Sequence, residues 1–351
     1  MAKTIDPNGK ASAKDGIYGL PFTEKESKVI YVPINWDVTT SYQAGTNKGP
    51  NAIKNASPQI DFFDLDYIDA YAVGLHMRKE DAKIKKMNTD GRKLAEKIIN
   101  ADEADVQKKK PLKEALKKVN ELSDKLNDHV YKEFKKILDA GKMPVVVGGD
   151  HSTPFGAIKA YAEKYDNFGV LHFDAHSDTR IAYMGFNHSH ASIMHNVMER
   201  IPSVNKLVQV GIRDFCEQEY DYTKNNKKID VYFDQHLQQR KLKGENFEKI
   251  AKEIVSKLPK HIYISFDIDG LDPRYCPNTG TPVPGGLEYS EVVFIINEIV
   301  RSGKKLVGFD LVEVAPNPKN KTDEWDANVG MRLIYKMTGA ALASQGLIKK
   351  R

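Results

Sequence analysis

Cysteine is scarce in this chain of 351 residues: there are two, Cys216 and Cys276. Two thiols cannot build a disulfide framework or a cysteine-rich zinc site, so both read as ordinary reduced thiols in a cytoplasmic setting, Cys276 as a surface one. Long apolar runs are missing too, since no stretch approaches the ~18 consecutive apolar residues of a membrane span. The opening segment MAKTIDPNGKASAKDG is polar throughout and lacks the apolar centre of a secretory signal. There is no internal repeat and no long Gly/Ser or Pro linker. The excess of one charge sign is small, 53 Lys+Arg against 48 Asp+Glu for a net of +5. With 40% hydrophobic and 29% charged residues the chain can bury a core, which excludes wholesale disorder.

What is present is an alternation of strand-like and helix-like stretches. A β-branched run at Lys28–Ile34 ends in the Thr-, Ser- and Gly-rich loop Asn35–Lys48. That loop leads into Gly49–Ile53, where Pro50 suits a first helical turn. From Arg78 to Lys142 the chain is dense in Lys and Glu. Within it, Leu112, Leu116, Val119, Leu122, Leu126, Val130, Phe134, Ile137 and Leu138 form a 3.6-residue stripe, opened by Pro111 and stopped by Gly141. The pattern predicts one long amphipathic helix over 111–140. Apolar runs follow at Met143–Val147, Phe168–Phe173, Lys206–Val210, Ile229–Phe233, His261–Phe266 and Lys304–Phe309, with helical stretches such as Phe247–Leu258 and Ser290–Arg301 between them. Nearly continuous apolar strands separated by helices predict a three-layer α-β-α fold with a mostly parallel central sheet. Residues 1–351 read as a single α/β domain with a Lys-rich helical elaboration at about 78–142.

Three of the strands run directly into acids and histidines. These are Gly148-Gly149-Asp150-His151-Ser152, Asp174-Ala175-His176-Ser177-Asp178 and Asp267-Ile268-Asp269-Gly270-Leu271-Asp272-Pro273. Ligands of open parallel sheets bind beyond the carboxyl ends of the strands, so the three clusters face one crevice. Alternate residues of extended backbone project to one side, which lets Asp174, His176 and Asp178 converge, and likewise Asp267 and Asp269. Four carboxylates gathered at one point repel unless cations neutralise them. Two imidazoles with four carboxylates are too many ligands for one tetrahedral zinc and suit a pair of octahedral divalent ions. Mn²⁺ is the first candidate, with Ni²⁺, Co²⁺ and Fe²⁺ open. His172 lies inside its strand and reads as a packed or supporting histidine.

On these motifs the chain resembles the ureohydrolases, the arginase/agmatinase family of binuclear manganese enzymes. The likeness extends to Thr279–Pro282 with Gly285–Leu287, to Val210–Asp214, to Gly308–Pro316 and to Gly49–Ile53. It implies one metal held by His151, Asp174, Asp178 and Asp267 and a second by Asp174, His176, Asp267 and Asp269, with Asp174 and Asp267 bridging. It implies a guanidinium-pairing role for Glu313, a proton-shuttle role for His190 rather than the nearby His188, and a homo-oligomer, trimer or hexamer. Two divalent ions ~3.5–4 Å apart can share a water and lower its pKa, supplying hydroxide at neutral pH. A guanidinium oriented by Glu313 could then be attacked, with His190 protonating the departing nitrogen.

The substrate tail is less sharply written. Arginases hold an α-carboxylate with an Asn and an α-amino group with an Asp at positions occupied here by Arg180 and Cys216. The pattern around Asp178-Thr179-Arg180, Tyr183 and Ser189-His190-Ala191 is instead similar to agmatinases, so the expected reaction is agmatine to putrescine and urea. Arginase, guanidine hydrolase and formimidoylglutamase activities remain alternatives. Arg180 could meet a substrate carboxylate or form a structural ion pair. Trp325 could shield the pocket or serve packing. A non-catalytic protein binding an acidic partner through the Lys-rich segment is the remote alternative. There the bases alternate with acids and no aromatic platform interleaves, which argues against nucleic acid. Arg78–Lys142 holds 19 Lys+Arg and 13 Asp+Glu, a net of +6 that leaves −1 for the rest, so the basic excess reads as that segment's solvated face.

Overall fold

The computed structural model describes residues 5–12 and 15–351; parts of the polar opening segment, residues 1–4 and 13–14, lie outside the described residues. Eight strands form one sheet: β1 (Val29–Ile34), β2 (Leu75–Met77), β3 (Met143–Gly148), β4 (Phe168–Phe173), β5 (Val204–Ile212), β6 (Ile229–Phe233), β7 (His261–Phe266) and β8 (Lys305–Leu311). Around it lie α1 (Gly49–Ala56), α2 (Ala82–Ile99), α3 (Glu103–Lys108), α4 (Lys110–Asp139), α5 (Phe155–Lys164) and α6 (Ile193–Arg200). They are followed by α7 (Glu217–Asn225), α8 (Asp234–Leu242), α9 (Phe247–Lys257), α10 (Tyr289–Arg301) and α11 (Trp325–Ser344).

The strand order is β2-β1-β3-β8-β7-β4-β5-β6 and every pairing is parallel. The sheet is therefore wholly rather than mostly parallel. The chain passes from β3 to β4 across two places that β8 and β7 later fill. That reversal of direction opens the crevice in which such sheets bind ligands. It also makes β3, β8, β7 and β4 four consecutive neighbours at the sheet's centre.

Burial explains why the strands read as continuous apolar runs. Val29, Tyr31, Val145, Val147, Leu171 and Phe173 face one buried layer. Ile30, Val32, Val146, Phe168 and Val170 alternate with them into the other. Strand period two thus feeds two cores, each roofed by helices. The Lys-rich segment is helical from end to end apart from short joints, and Val119, Leu126, Val130 and Phe134 of α4 are fully or nearly fully buried. At about 1.5–3 kcal/mol for each buried large apolar side chain, that stripe adds packing energy to the helix-forming Lys, Leu and Glu of α4.

Two expectations change. Cys276 is fully buried, its Sγ donating to the Ile268 carbonyl at 3.2 Å, because the loop after the third acidic motif folds back under the sheet end. Burial pushes its thiol far above the ordinary range. Trp325 is 47% exposed at the start of α11, with its indole N–H donating to the Arg274 carbonyl at 2.7 Å. It neither shields the cavity nor packs in the core. Among the described residues no helix is long and apolar enough to cross a membrane.

Candidate active site

The acidic motifs leave the sheet from β3, β4 and β7, and Glu313 follows β8, so the four central strands deliver the whole cluster. Two glycines permit the close approach. A Cβ on Gly149 would lie 1.8 Å from the Trp36 carbonyl oxygen, and one on Gly270 would lie 2.7 Å from the Asp174 amide nitrogen. Local turns set the side-chain directions. Asp267 caps its own turn by accepting from the Asp269 amide at 2.9 Å, and the Ala175 amide donates to Asp269 Oδ1 at 3.0 Å. Asp178 and Glu313 hold φ of 54° and 60°, a left-handed conformation that costs a non-glycine residue roughly 1–3 kcal/mol and clusters at functional sites.

His151 Nδ1 faces three carboxylate oxygens, Asp174 at 2.9 Å, Asp178 at 3.1 Å and Asp267 at 3.3 Å. His176 Nδ1 lies 3.1 Å from Asp269 and 3.4 Å from Asp174. Asp174 therefore stands between two imidazole–carboxylate groups. His151 Nδ1 is buried and makes no hydrogen bond to any of the oxygens around it. A nitrogen aimed into a ring of carboxylates without a hydrogen bond is the donor set that a divalent cation takes. The residues present fit a metal, and the two groups around Asp174 offer room for a pair.

The surrounding hydrogen bonds fix both orientation and tautomer. His151 Nε2–H donates to Ser265 Oγ at 3.0 Å, and that hydroxyl donates to the buried Asp310 at 3.2 Å. This leaves the lone pair on Nδ1. Gln209 Nε2 donates to His172 Nδ1 at 2.9 Å, so His172 Nε2–H donates to Asp174 Oδ2 at 2.8 Å. His172 falls near His151, Asp174 and Asp178, but both its nitrogens are engaged, and it supports Asp174. His172 takes the supporting position expected of it, whereas Gln209 carries no local sequence signal, and Ser265 and Asp310 sit in or beside recognised stretches that assign them no role.

The charges of the cluster cannot all stand unaided. Burial and then Asp269 and Asp174 raise Asp267 well above the usual carboxylate range. Burial and then Asp174 push Asp178 up to about 7. At Asp174 burial is outweighed by His172, His151 and His176, and the carboxyl is held well below its usual value. At His151 and His176 burial is likewise outweighed by the carboxylates, and both imidazoles are raised. Buried carboxylates this close together favour neutralisation by cations.

Glu313 accepts from the His151 amide at 2.9 Å, and its own amide donates to the Gly149 carbonyl at 2.8 Å. Burial, then Asp150, raises its carboxyl well above the usual range. His190 Nδ1 lies 4.0 Å from Glu313, and its Nε2 meets Ser41 Oγ at 3.3 Å. Burial, then His176 and His151, push the His190 imidazole down to about 3. His188 is turned away from the cluster, between Arg200 and Asp124.

A cavity of about 170 Å³ opens onto the cluster, lined by His176, Asp178 and His190 together with Arg180, Tyr183, Asp214, Phe215 and Glu219. Arg180 Nε sits 3.5 Å from the buried Glu219, and its guanidinium lies over the Tyr183 ring at 5.0 Å. The structure thus brings Arg180 to the cavity and gives it an internal partner as well. Ser41 and Thr281 also line the cavity; Ser41 was not anticipated because its loop has no metal-type spacing, nor was Glu219, a lone acid in the first turn of α7.

A buried nest of carboxylates and imidazoles at the carboxyl ends of parallel strands, open to a small polar cavity, is an α/β site whose donors suit divalent cations. Residues 27–339 match the model of the arginase family. The chain is 32% identical over 305 residues to the N(1)-aminopropylagmatine ureohydrolase of Thermus thermophilus, covering 85% of this chain and 88% of that protein. It is 30% identical over 337 residues to the agmatinase of Bacillus subtilis, covering 93% and 96%. The structure of the agmatine ureohydrolase of Thermoplasma volcanium superposes with a TM-score of 0.67 at 23% identity over 92% of each chain, a likeness of fold. The chain belongs to the arginase family, whose members are hydrolases with a binuclear metal site.

Proposed function

We propose that the chain hydrolyses the guanidino group of agmatine, releasing urea and putrescine. The observation that carries this reading is the pairing of the acid–imidazole cluster with Glu313, a buried carboxylate beside it and 4.0 Å from His190. A metal pair here would be held by His151, Asp174, His176, Asp178, Asp267 and Asp269. Two divalent ions bound there, Mn²⁺ in this reading, supply Lewis acidity and a nucleophilic water at neutral pH.

The chain's own residues do the rest. Glu313 receives the guanidinium through a charge-assisted bond, and its fixed carboxylate orients the planar group over the cluster. The approach of that cation favours the ionised form of a carboxyl that burial otherwise keeps protonated. His190 is neutral at pH 7 and Ser41 holds its Nε2 at 3.3 Å. It would take the proton that the attacking water loses as its oxygen bonds to the guanidino carbon and pass it to the amine nitrogen as the C–N bond breaks. Further out, Asp214 is 68% exposed in its side chain and offers an anion to an amine-ended tail. Cys216 in place of a carboxylate removes the α-amino contact of arginases, which supports a tail without an amino-acid head.

One observation favours a second reading: the Arg180 side chain is 36% exposed at the mouth and could meet a carboxylate-ended tail. Urea release from agmatine, aminopropylagmatine, arginine, guanidine and guanidinobutyrate, together with ammonia or formamide release from formimidoylglutamate, measured with metal-loaded protein, separates these. Turnover led by agmatine is expected, and no turnover of agmatine overturns the reading. The same reading treats the chain as one α/β unit, oligomeric as a trimer or hexamer and cytoplasmic.

A further inference from the structure

The Lys-rich segment turns its charges outward, but its inner faces touch the two loops that close over the site. We infer that α2 and α4 form a clamp holding the Ser41 loop and the His190 loop in register, with Asn88, Arg92 and Asn120 as positioning residues. The inference rests on the proposed role of His190.

The first jaw is α2. Asn88 is buried and makes a two-point contact, its Oδ1 accepting from the Asp37 amide at 2.8 Å and its Nδ2 donating to Asp37 Oδ1 at 3.1 Å. Asp37 in turn closes the loop on itself by accepting from the Gly45 amide at 2.9 Å. One turn along α2, Arg92 Nη1 donates to the Thr40 carbonyl at 2.5 Å, with the Asp37 and Val38 carbonyls at 3.3 and 3.4 Å. Glu96 holds the same guanidinium from behind at 3.1 Å. Gly91 lets the two backbones approach, since a Cβ there would lie 3.0 Å from Val38 Cγ2.

This pinned span carries the groups that meet His190. Thr39 Oγ1 accepts from the His190 amide at 3.3 Å, and Ser41 Oγ contacts the His190 ring at 3.3 Å. The second jaw is α4. Asn120 donates to the Gly185 carbonyl at 3.1 Å and accepts from the Asn187 amide at 2.9 Å, three residues before His190. Arg92 and Asn120 bond to loop backbone, and Asn88 bonds to both the amide and the carboxylate of Asp37. The buried two-point contact of Asn88, the more exposed one of Asn120 and the charge-assisted guanidinium of Arg92 restrain the two loops. A ring held from both sides keeps its Nδ1 toward Glu313, the orientation that proton transfer requires.

Hydrogen–deuterium exchange on the full, metal-loaded chain tests the clamp alongside steady-state urea release and metal content. Arg92→Met and Asn88→Ala are expected to speed exchange in residues 36–47 at least tenfold. Asn120→Ala should do the same in 183–191, with β3, β4 and β7 unchanged. In each, kcat falls tenfold or more while KM stays within threefold and metal content is kept. Arg92→Lys, which retains a cationic donor, recovers much of the loss. Unchanged loop exchange overturns the inference, as does acceleration spread evenly through the sheet strands, which marks a merely structural role. Loop-specific acceleration in a chain whose wild type releases no urea supports the clamp and removes only the role given to His190.

Discussion

Ser265→Ala isolates how strongly the metal-facing histidine depends on its support. Ser265 is fully buried, and its hydroxyl is the link between His151 Nε2 at 3.0 Å and Asp310 at 3.2 Å. Alanine removes the oxygen with little change of shape, leaving a buried imidazole N–H with no acceptor. Asp310 keeps the Phe266 amide at 3.0 Å, so one penalty rather than two governs the cost. An unsatisfied buried donor costs about 1–3 kcal/mol, which sets the expected loss of folding stability. Freed of its acceptor, the ring can rotate or change tautomer, and loss of such an outer partner weakens metal binding by roughly 10–100-fold, about 1.4–2.7 kcal/mol. Competition with a fluorescent chelator reads the second quantity directly, and a denaturant titration of the metal-free protein reads the first. Metal affinity within threefold of wild type would refute the claim that this chain of hydrogen bonds holds the Nδ1 lone pair in place.

Other perturbations probe separate parts of the site. Glu313→Gln keeps an acceptor for the His151 amide but loses the charge, so kcat/KM is expected to fall about 100-fold, near 3 kcal/mol, with both metals retained; a loss under threefold would contradict its role. His190→Asn is expected to keep both metals and lose most turnover. His188 gives a pH signature. Burial, then Arg200, hold it down to about 4, so between pH 6.5 and 4 the unfolded chain binds the extra proton and stability falls as pH falls. The full difference is about 3 kcal/mol. His188→Asn should flatten that acid-side loss in denaturant titrations, and an unchanged slope would rule it out.

Much of this was legible because spacing and strand ends carry chemical information. Asp174, His176 and Asp178 follow an apolar run at every second position, and the structure brings Asp174 and Asp178 to His151 and His176 to Asp174 and Asp269, although Asp178 does so from a left-handed turn rather than extended backbone. The stripe from Leu112 to Leu138 marked the helix that became α4 to within a residue or two at each end. What escaped reading depends on partners far away in sequence. Ser265 acquires its meaning only when β7 lies beside β8 and opposite His151, and Gln209 only when β5 lies beside β4. β2 has three residues, too few for a period to register. Cys276 read as exposed because its loop is polar, yet the fold tucks its Sγ against the Ile268 carbonyl. The Lys-rich segment showed its solvated face in composition, while Asn88 and Arg92 on the inner face looked like ordinary helix residues.

The central claim is that the acid–imidazole cluster holds a pair of divalent ions on which guanidine hydrolysis depends. Elemental analysis of dialysed protein reconstituted with Mn²⁺, coupled to urea release from agmatine on the same samples, tests it most directly. Two ions per chain are expected, with turnover rising as the sites fill and lost on chelation, and Asp174→Asn should lose both ions and activity together, because Asp174 stands 2.9 Å from His151 and 3.4 Å from His176. Full urea release from a chain holding one ion or none would contradict the account.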